Sequence, residues 1–139
     1  MQLSAGISIS GDQVDGSGTY GIWDQTSEGT QVLNDGIAGS HGAGIYLGCS
    51  GTGNLQNISC GPPSDQSTIS QNTLVNNGYY GIAIADESLR NTVTTNHVSG
   101  DVAKDLQDEN FDCTGLPGTN TWLANTGTRN QSVSATCIG

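Results

Sequence analysis

The stretch Ile69-Ser70-Gln71-Asn72-Thr73-Leu74, followed by Asn76-Asn77-Gly78 and Tyr80-Gly81-Ile82-Ala83-Ile84, decides the fold. Its apolar positions Ile69, Leu74 and Ile82 are spaced by five and eight residues, and Asn72 stands three after the first. That spacing is not the i, i+3, i+4 pattern of a helix, and Gly, Asn, Thr and Ser interrupt every helical window. It reads as three short strands joined by polar turns, with side chains alternating between two faces.

The same ruler fits elsewhere without gaps. Toward the start it marks Ile9, Asp12, Val14, Gly21 and Ile22, then Val32, Asp35, Ile37, Gly44 and Ile45. Past the Ile69 unit it marks Val93, Asn96, Val98, Asp105 and Leu106, and a fifth, incomplete unit has Trp122 and Asn125. Unit starts at 9, 32, 69, 93 and 122 give steps of 23, 37, 24 and 29. A step of 23 or 24 is one turn of a repeating coil. The longer steps place irregular insertions near residues 48–65 and 110–120, leaving 121–139 as a C-terminal closing turn of a single domain spanning 1–139.

Three strands per turn make one coil of an all-β parallel β-helix of about five rungs, rising roughly 4.8 Å per rung. Three columns should stack inside: Ile9/Val32/Ile69/Val93, Val14/Ile37/Leu74/Val98 and Ile22/Ile45/Ile82/Leu106. Asp12, Asp35, Asn72, Asn96 and Asn125 form a polar column, read as turn residues tolerating left-handed backbone and as a hydrogen-bonded stack. Gly21, Gly44 and Gly81 precede the third strand, where a tight corner has no room for a Cβ. From Ile9 to Asn125 these units resemble the right-handed parallel β-helix repeat family, the pectate-lyase-like superfamily. The resemblance covers roughly residues 5–127 and implies a right-handed coil. It does not select an activity, since that architecture hosts lyases, hydrolases, epimerases, adhesins and structural modules.

Composition narrows the partners. Three Lys+Arg against 13 Asp+Glu give a formal charge of −10. A phosphate backbone requires a basic footprint, so nucleic acid is excluded, as is docking on an anionic membrane. No apolar run approaches the ~18 residues of a membrane span. The 21 Gly and the abundant Ser, Thr and Asn stand where a disordered chain would carry Pro, Glu and Lys. The four cysteines form two local pairs, Cys49/Cys60 and Cys113/Cys137, each bracketing or adjoining one insertion. Their even number and the absence of a Cys-x-x-Cys spacing favour disulfides Cys49–Cys60 and Cys113–Cys137 over zinc, and so a secreted or cell-surface protein. Of three possible connectivities, the local one is expected. Sequons at Asn57 and Asn130 are compatible with chance in so Asn- and Ser-rich a chain.

Strand alternation aims Trp23, Tyr46, Ala83 and Gln107 outward beside the third core column. Trp23 and Tyr46 should therefore be neighbours on an exposed face, suited to the apolar face of a sugar or to a contact between chains. Asp24, Asp86–Glu87 and Asp108–Glu109 fall just past that strand. They are read as a polar rim beside the aromatic face and, through Asp86, Glu87, Asp108 and Glu109, as an oxygen-rich Ca²⁺ site, the one cofactor the residues suggest. His41 in Ser40-His41-Gly42 is a poor match to the Gly-His-Gly element of related polygalacturonases, and no motif selects a carboxylate pair. Lys104, Arg90 and Arg129 lie in different segments, and the charge repels polyuronates. The expectation is a secreted module that binds a polysaccharide or glycan without catalysis of its own. Rival readings are a structural, adhesive or filament-forming protein that self-associates end to end, and a fragment or small member of a polysaccharide lyase or hydrolase family. Ice binding through the outward column Ser8, Gln31, Thr68, Thr92 and Thr121 is a further reading.

Overall fold

The computed structural model describes residues 6–48, 64–85, 88–110, 118–131 and 138. All regular structure among them is β, in fourteen strands of three to five residues. The first turn carries β1 (Ser8–Ser10), β2 (Gln13–Asp15) and β3 (Ile22–Asp24), and the second β4 (Gln31–Leu33), β5 (Gly36–Ala38) and β6 (Ile45–Leu47). The third carries β7 (Thr68–Ser70), β8 (Thr73–Val75) and β9 (Tyr80–Ile84). The fourth carries β10 (Thr92–Thr94), β11 (His97–Ser99) and β12 (Lys104–Asp108), and the fifth β13 (Thr121–Leu123) and β14 (Arg129–Gln131). Like strands of successive turns pair in parallel into three sheets: β1-β4-β7-β10-β13, β2-β5-β8-β11 and β3-β6-β9-β12-β14.

The register is the one the repeat spacing requires. Ile9 aligns with Val32, Val32 with Ile69, Ile69 with Val93, and Val93 with Trp122. Val14, Ile37, Leu74 and Val98 align in the second sheet, and Ile22, Ile45, Ile82 and Leu106 in the third. All belong to one apolar core, joined by Leu47, Ile84 and Ile138. Ile9 and Val14 are partly buried, whereas the middle turns close over their residues.

Polar residues close the corners. At the first, the N–H of Asp12, Asp35, Asn72 and Asn96 donates to the side-chain oxygen of Asp35, Asn72, Asn96 and Asn125 respectively, at 2.7–3.0 Å. The Asn72 and Asn96 amides also donate one rung onward, to Asn96 and Asn125, and one rung back, to the carbonyls of Val32 and Ile69. The left-handed backbone falls on the residue before each ladder position: Gly11, Asn34, Gln71, Thr95 and Ala124 all have φ between 55° and 74°. This corrects the expectation that the ladder residue takes that conformation. Reversal happens one residue early, which turns the ladder side chain inward toward the next rung.

At the third-sheet corner the glycines are required by backbone approach. A Cβ on Gly21 would lie 2.6 Å from the Gly44 carbonyl oxygen, and one on Gly81 2.7 Å from that of Asp105. Non-bonded atoms do not come so close without displacing the chain.

A stack of this kind is stabilised by nearest-neighbour interfaces. Ile82→Ala, at a site with no exposure, should cost about 2–5 kcal/mol, and Ile9→Ala in the partly open first turn much less. Asn96→Ala removes the acceptor of the Asn72 N–H and should cost about 1–3 kcal/mol. Thermal melts of the three variants check this, and equal losses at Ile82 and Ile9 would contradict a stacked core.

Candidate functional site

The outer face of the third sheet carries a second cluster, separate from the core. Ala43, Tyr46, Ala83 and Ala85 are buried there, with Tyr20 and Tyr80 packed against them. Trp23 and Tyr46 do align on adjacent rungs, but they differ in exposure. Trp23 is 40% exposed and Tyr46 1%. The cause is Tyr20, whose ring stacks on Tyr46 with centroids 5.0 Å apart and planes at 17°. Tyr46 is thus a floor, not part of an open platform, which corrects the expectation of two exposed neighbours. Tyr20 also meets Trp23 at 5.2 Å in a tilted arrangement. The Trp23 indole N–H donates to the Gly48 carbonyl at 2.8 Å, so its ring is held at both its polar edge and its side. Ala83 and Gln107, in the same outward column, are also buried.

Tyr79, 54% exposed, extends the aromatic character of the third turn and meets Tyr80 edge-on at 5.9 Å. Burial pushes the Tyr80 phenol up, with the charge of Glu109 and the Tyr79 ring hydroxyl adding to it.

Of the acids past the third strand, Asp24 and Asp108 are not part of a solvated rim. Asp24 and Asp108 occupy the same column as Leu47 and Ile84, which are core residues, and both acids are buried. Strand alternation explains this: Ile22 faces in, Trp23 out and Asp24 in again. Asp24 accepts from the Ser27 N–H and from the Ser64 and Ser67 hydroxyls at 3.1–3.3 Å. Asp108 Oδ1 accepts from the Asn110 N–H and amide. Its Oδ2 accepts from the Asn120 amide at 3.2 Å and the Trp122 indole at 2.8 Å. These carboxyl groups tie Ser64, Ser67, Asn110, Asn120 and Trp122 to the coil, and Asp24 lies beneath the aromatic face. Asp108 thus meets four N–H groups of its own chain, and among the described residues no group of three His, Cys, Asp or Glu is placed to hold a metal ion. Asp86 and Glu87, and all four cysteines, lie outside the described residues.

Two further polar ladders escape the single-column reading. Before the first sheet, the Ser67 N–H donates to Asn91 Oδ1, and the Asn91 N–H to Asn120 Oδ1. After the second sheet, the N–H of Ser40 donates to Asn77 Oδ1, that of Asn77 to Asp101 Oδ1, and that of Asp101 to Asp105 Oδ1. The signal was present in the same ruler: Ser40, Asn77 and Asp101 each stand three residues after Ile37, Leu74 and Val98.

Asp105 departs from the glycine column for a local reason. In the fifth turn Thr126 accepts from the Val98 N–H and the Thr128 carbonyl already accepts from the Leu106 N–H of the fourth, so no corner residue stands above Asp101. The Asp105 side chain supplies the missing acceptor, taking the Asp101 N–H at 3.2 Å and the Thr128 N–H at 2.6 Å. Burial works against its charge, but these N–H groups outweigh burial and hold its carboxyl below the ordinary range. Asp101 goes the other way. Burial pushes it up to about 7, Asn77 opposes, and the hydrogen bond and charge of Asp105 add to the rise.

Comparison with protein-family models, with curated proteins and with solved structures returned no match. The geometry of this face therefore carries the functional argument.

The folded chain holds a proton on Asp101 up to about pH 7 that an ordinary aspartate gives up near 3.8. Its contribution to stability is full below the lower value and is lost as pH rises through the higher one. The melting temperature should therefore fall between about pH 4 and about pH 7. Asp101→Asn, which keeps an acceptor for Asn77, should flatten that slope. Thermal melts across the range check it, and an unchanged slope in the variant would assign the dependence elsewhere.

Proposed function

We propose that this chain is a secreted right-handed parallel β-helix module that binds a neutral polysaccharide through the Trp23 face, without catalysis of its own. The observation that carries this reading is the fixing of a large exposed aromatic ring. Trp23 remains 40% exposed although its polar edge is satisfied by Gly48 and its flank by Tyr20. A ring so held loses little side-chain freedom on meeting a ligand, and it offers an apolar face of the size of a sugar ring. The formal charge of −10 favours a neutral glycan over a polyuronate. The cysteine pairs and the acidic, Lys-poor composition support secretion, and the rung length and stacked Asn corners support kinship with the pectate-lyase-like superfamily. A lyase or hydrolase reading gains nothing from Asp24 and Asp108, whose carboxylates are turned inward onto donors of their own chain.

A panel of neutral polysaccharides should contain at least one binder. Trp23→Ala should weaken that binding by about 1–3 kcal/mol, while leaving the melting temperature near that of the parent. Titration calorimetry with both proteins decides it. The absence of any binder, or equal affinity in the variant, would remove the reading. A shift in assembly state on Trp23→Ala, with no glycan bound, would assign the same ring to a contact between chains.

A further inference from the structure

The first sheet presents a face unlike the rest of the molecule. Its outward side chains form two columns flanking the core column. One is Ser8, Gln31, Thr68, Thr92 and Thr121, and the other Ser10, Leu33, Ser70, Thr94 and Leu123. None of the ten is charged, although the chain carries 13 acidic residues. None is buried, in contrast to the covered outer face of the third sheet, and Leu123 is 62% exposed. Pairing runs through all five strands with no offset. The columns therefore repeat about every 4.8 Å along the axis, and stand about 6.6–6.8 Å apart across the strands.

The chemistry of the face selects its occupant. Nucleic acid would require Lys or Arg, and these ten positions have neither. A protein partner is usually met by Tyr, Trp, Phe, Met or Arg, with Ser depleted, and the composition here is the reverse. A stacked sugar needs an exposed aromatic ring, and among the described residues Trp23 and Tyr79 lie at the third sheet while Trp122 of the first is buried. What remains is a flat, uncharged lattice of hydroxyls and methyls. Thr68, Thr92, Thr94 and Thr121 are β-branched and stiff at χ1, which fixes each hydroxyl beside its own methyl. Leu33 and Leu123 add apolar groups without charge. Such a lattice can order water over an area in a repeating pattern while attracting no ion to disturb it.

We propose that the outer face of the first sheet is an ice-binding surface, with Thr68, Thr92 and Thr94 at its centre and the Trp23 face of the third sheet playing no part. The test is the freezing behaviour of dilute solutions of the intact chain. The parent should shape growing ice crystals, produce a gap between melting and freezing points that grows with concentration, and suppress recrystallisation. Thr92→Lys and Thr94→Lys, which place a flexible charge at the centre of the face, should each abolish the gap. Thr73→Lys, at an exposed position of the second sheet, should retain it, as should Trp23→Ala. Circular dichroism melts confirm that each variant is folded. A folded parent without any effect on ice overturns the proposal, as does full activity in a folded Thr94→Lys. Pelleting with microcrystalline cellulose that is lost in Thr94→Lys, with no effect on ice, likewise overturns it and assigns the face to a solid polysaccharide. Loss of glycan binding in Trp23→Ala alone bears on the other face and leaves this one untouched.

Discussion

Each corner of the coil depends on a backbone N–H finding its acceptor in a side chain of the next rung. At the first corner this bond runs unbroken from Asp12 to Asn125. The strands are three to five residues long, so a large share of the backbone lies at corners, where neighbouring strands cannot serve it. A buried N–H without an acceptor costs about 1–3 kcal/mol. Repeated over several rungs and three corners, that loss would exceed the total stability of an ordinary domain. The ladders remove it. They also explain how a chain with only 33% hydrophobic residues folds: the interior is a thin apolar column sealed at its edges by amides and hydroxyls.

The ladder dictates its neighbours as well. For the side chain to reach the next rung the backbone must reverse one residue earlier, and Gly11, Asn34, Gln71, Thr95 and Ala124 bear that left-handed turn. Four of these are not glycine, so the strain of φ near 55–61° is offset by the bonds that follow it. The glycine column at Gly21, Gly44 and Gly81 answers a different demand, the approach of one backbone to the next. Where the coil loses a corner, in the fifth turn, both demands change together. The glycine becomes Asp105, and its carboxylate replaces the ladder residue that is no longer there.

The register was legible because every column is a repeat of side-chain type at fixed distance. Ile69 to Leu74 to Ile82 set a ruler whose alignments with the other turns recur in the strand pairing. The aromatic face was half legible. Alternation places Trp23 and Tyr46 outward, but no spacing within a strand shows that Tyr20, two residues before the core position, folds back across the next rung. Asp24 and Asp108 follow the same alternation one residue further, which turns them inside; the donors that make burial of a carboxyl tolerable there have no signature in the strand itself. Those donors, Ser64, Ser67, Asn110 and Asn120, border the insertions. Sequence distance there says little about contact.

The buried acids bear on how the outer faces divide their work. Asp24 in the first turn and Asp108 in the fourth bracket Leu47 and Ile84, so the column beneath the third sheet is apolar in the middle with an acid on either side. Each carboxylate gathers donors from segments outside the regular coil, and Asp108 fastens Trp122 of the fifth turn directly. The third sheet is consequently pinned from below at its first and fourth strands and packed from above by Tyr20, Tyr46 and Tyr80. That double support can keep Trp23 immobile. The first sheet has neither a covering cluster nor an acid in its outward columns, and its order comes from strand pairing, the core column beneath it and the ladders at its edges. A rigid single ring and an extended regular array are different recognition elements. One suits a discrete ligand that stacks, the other a surface that repeats.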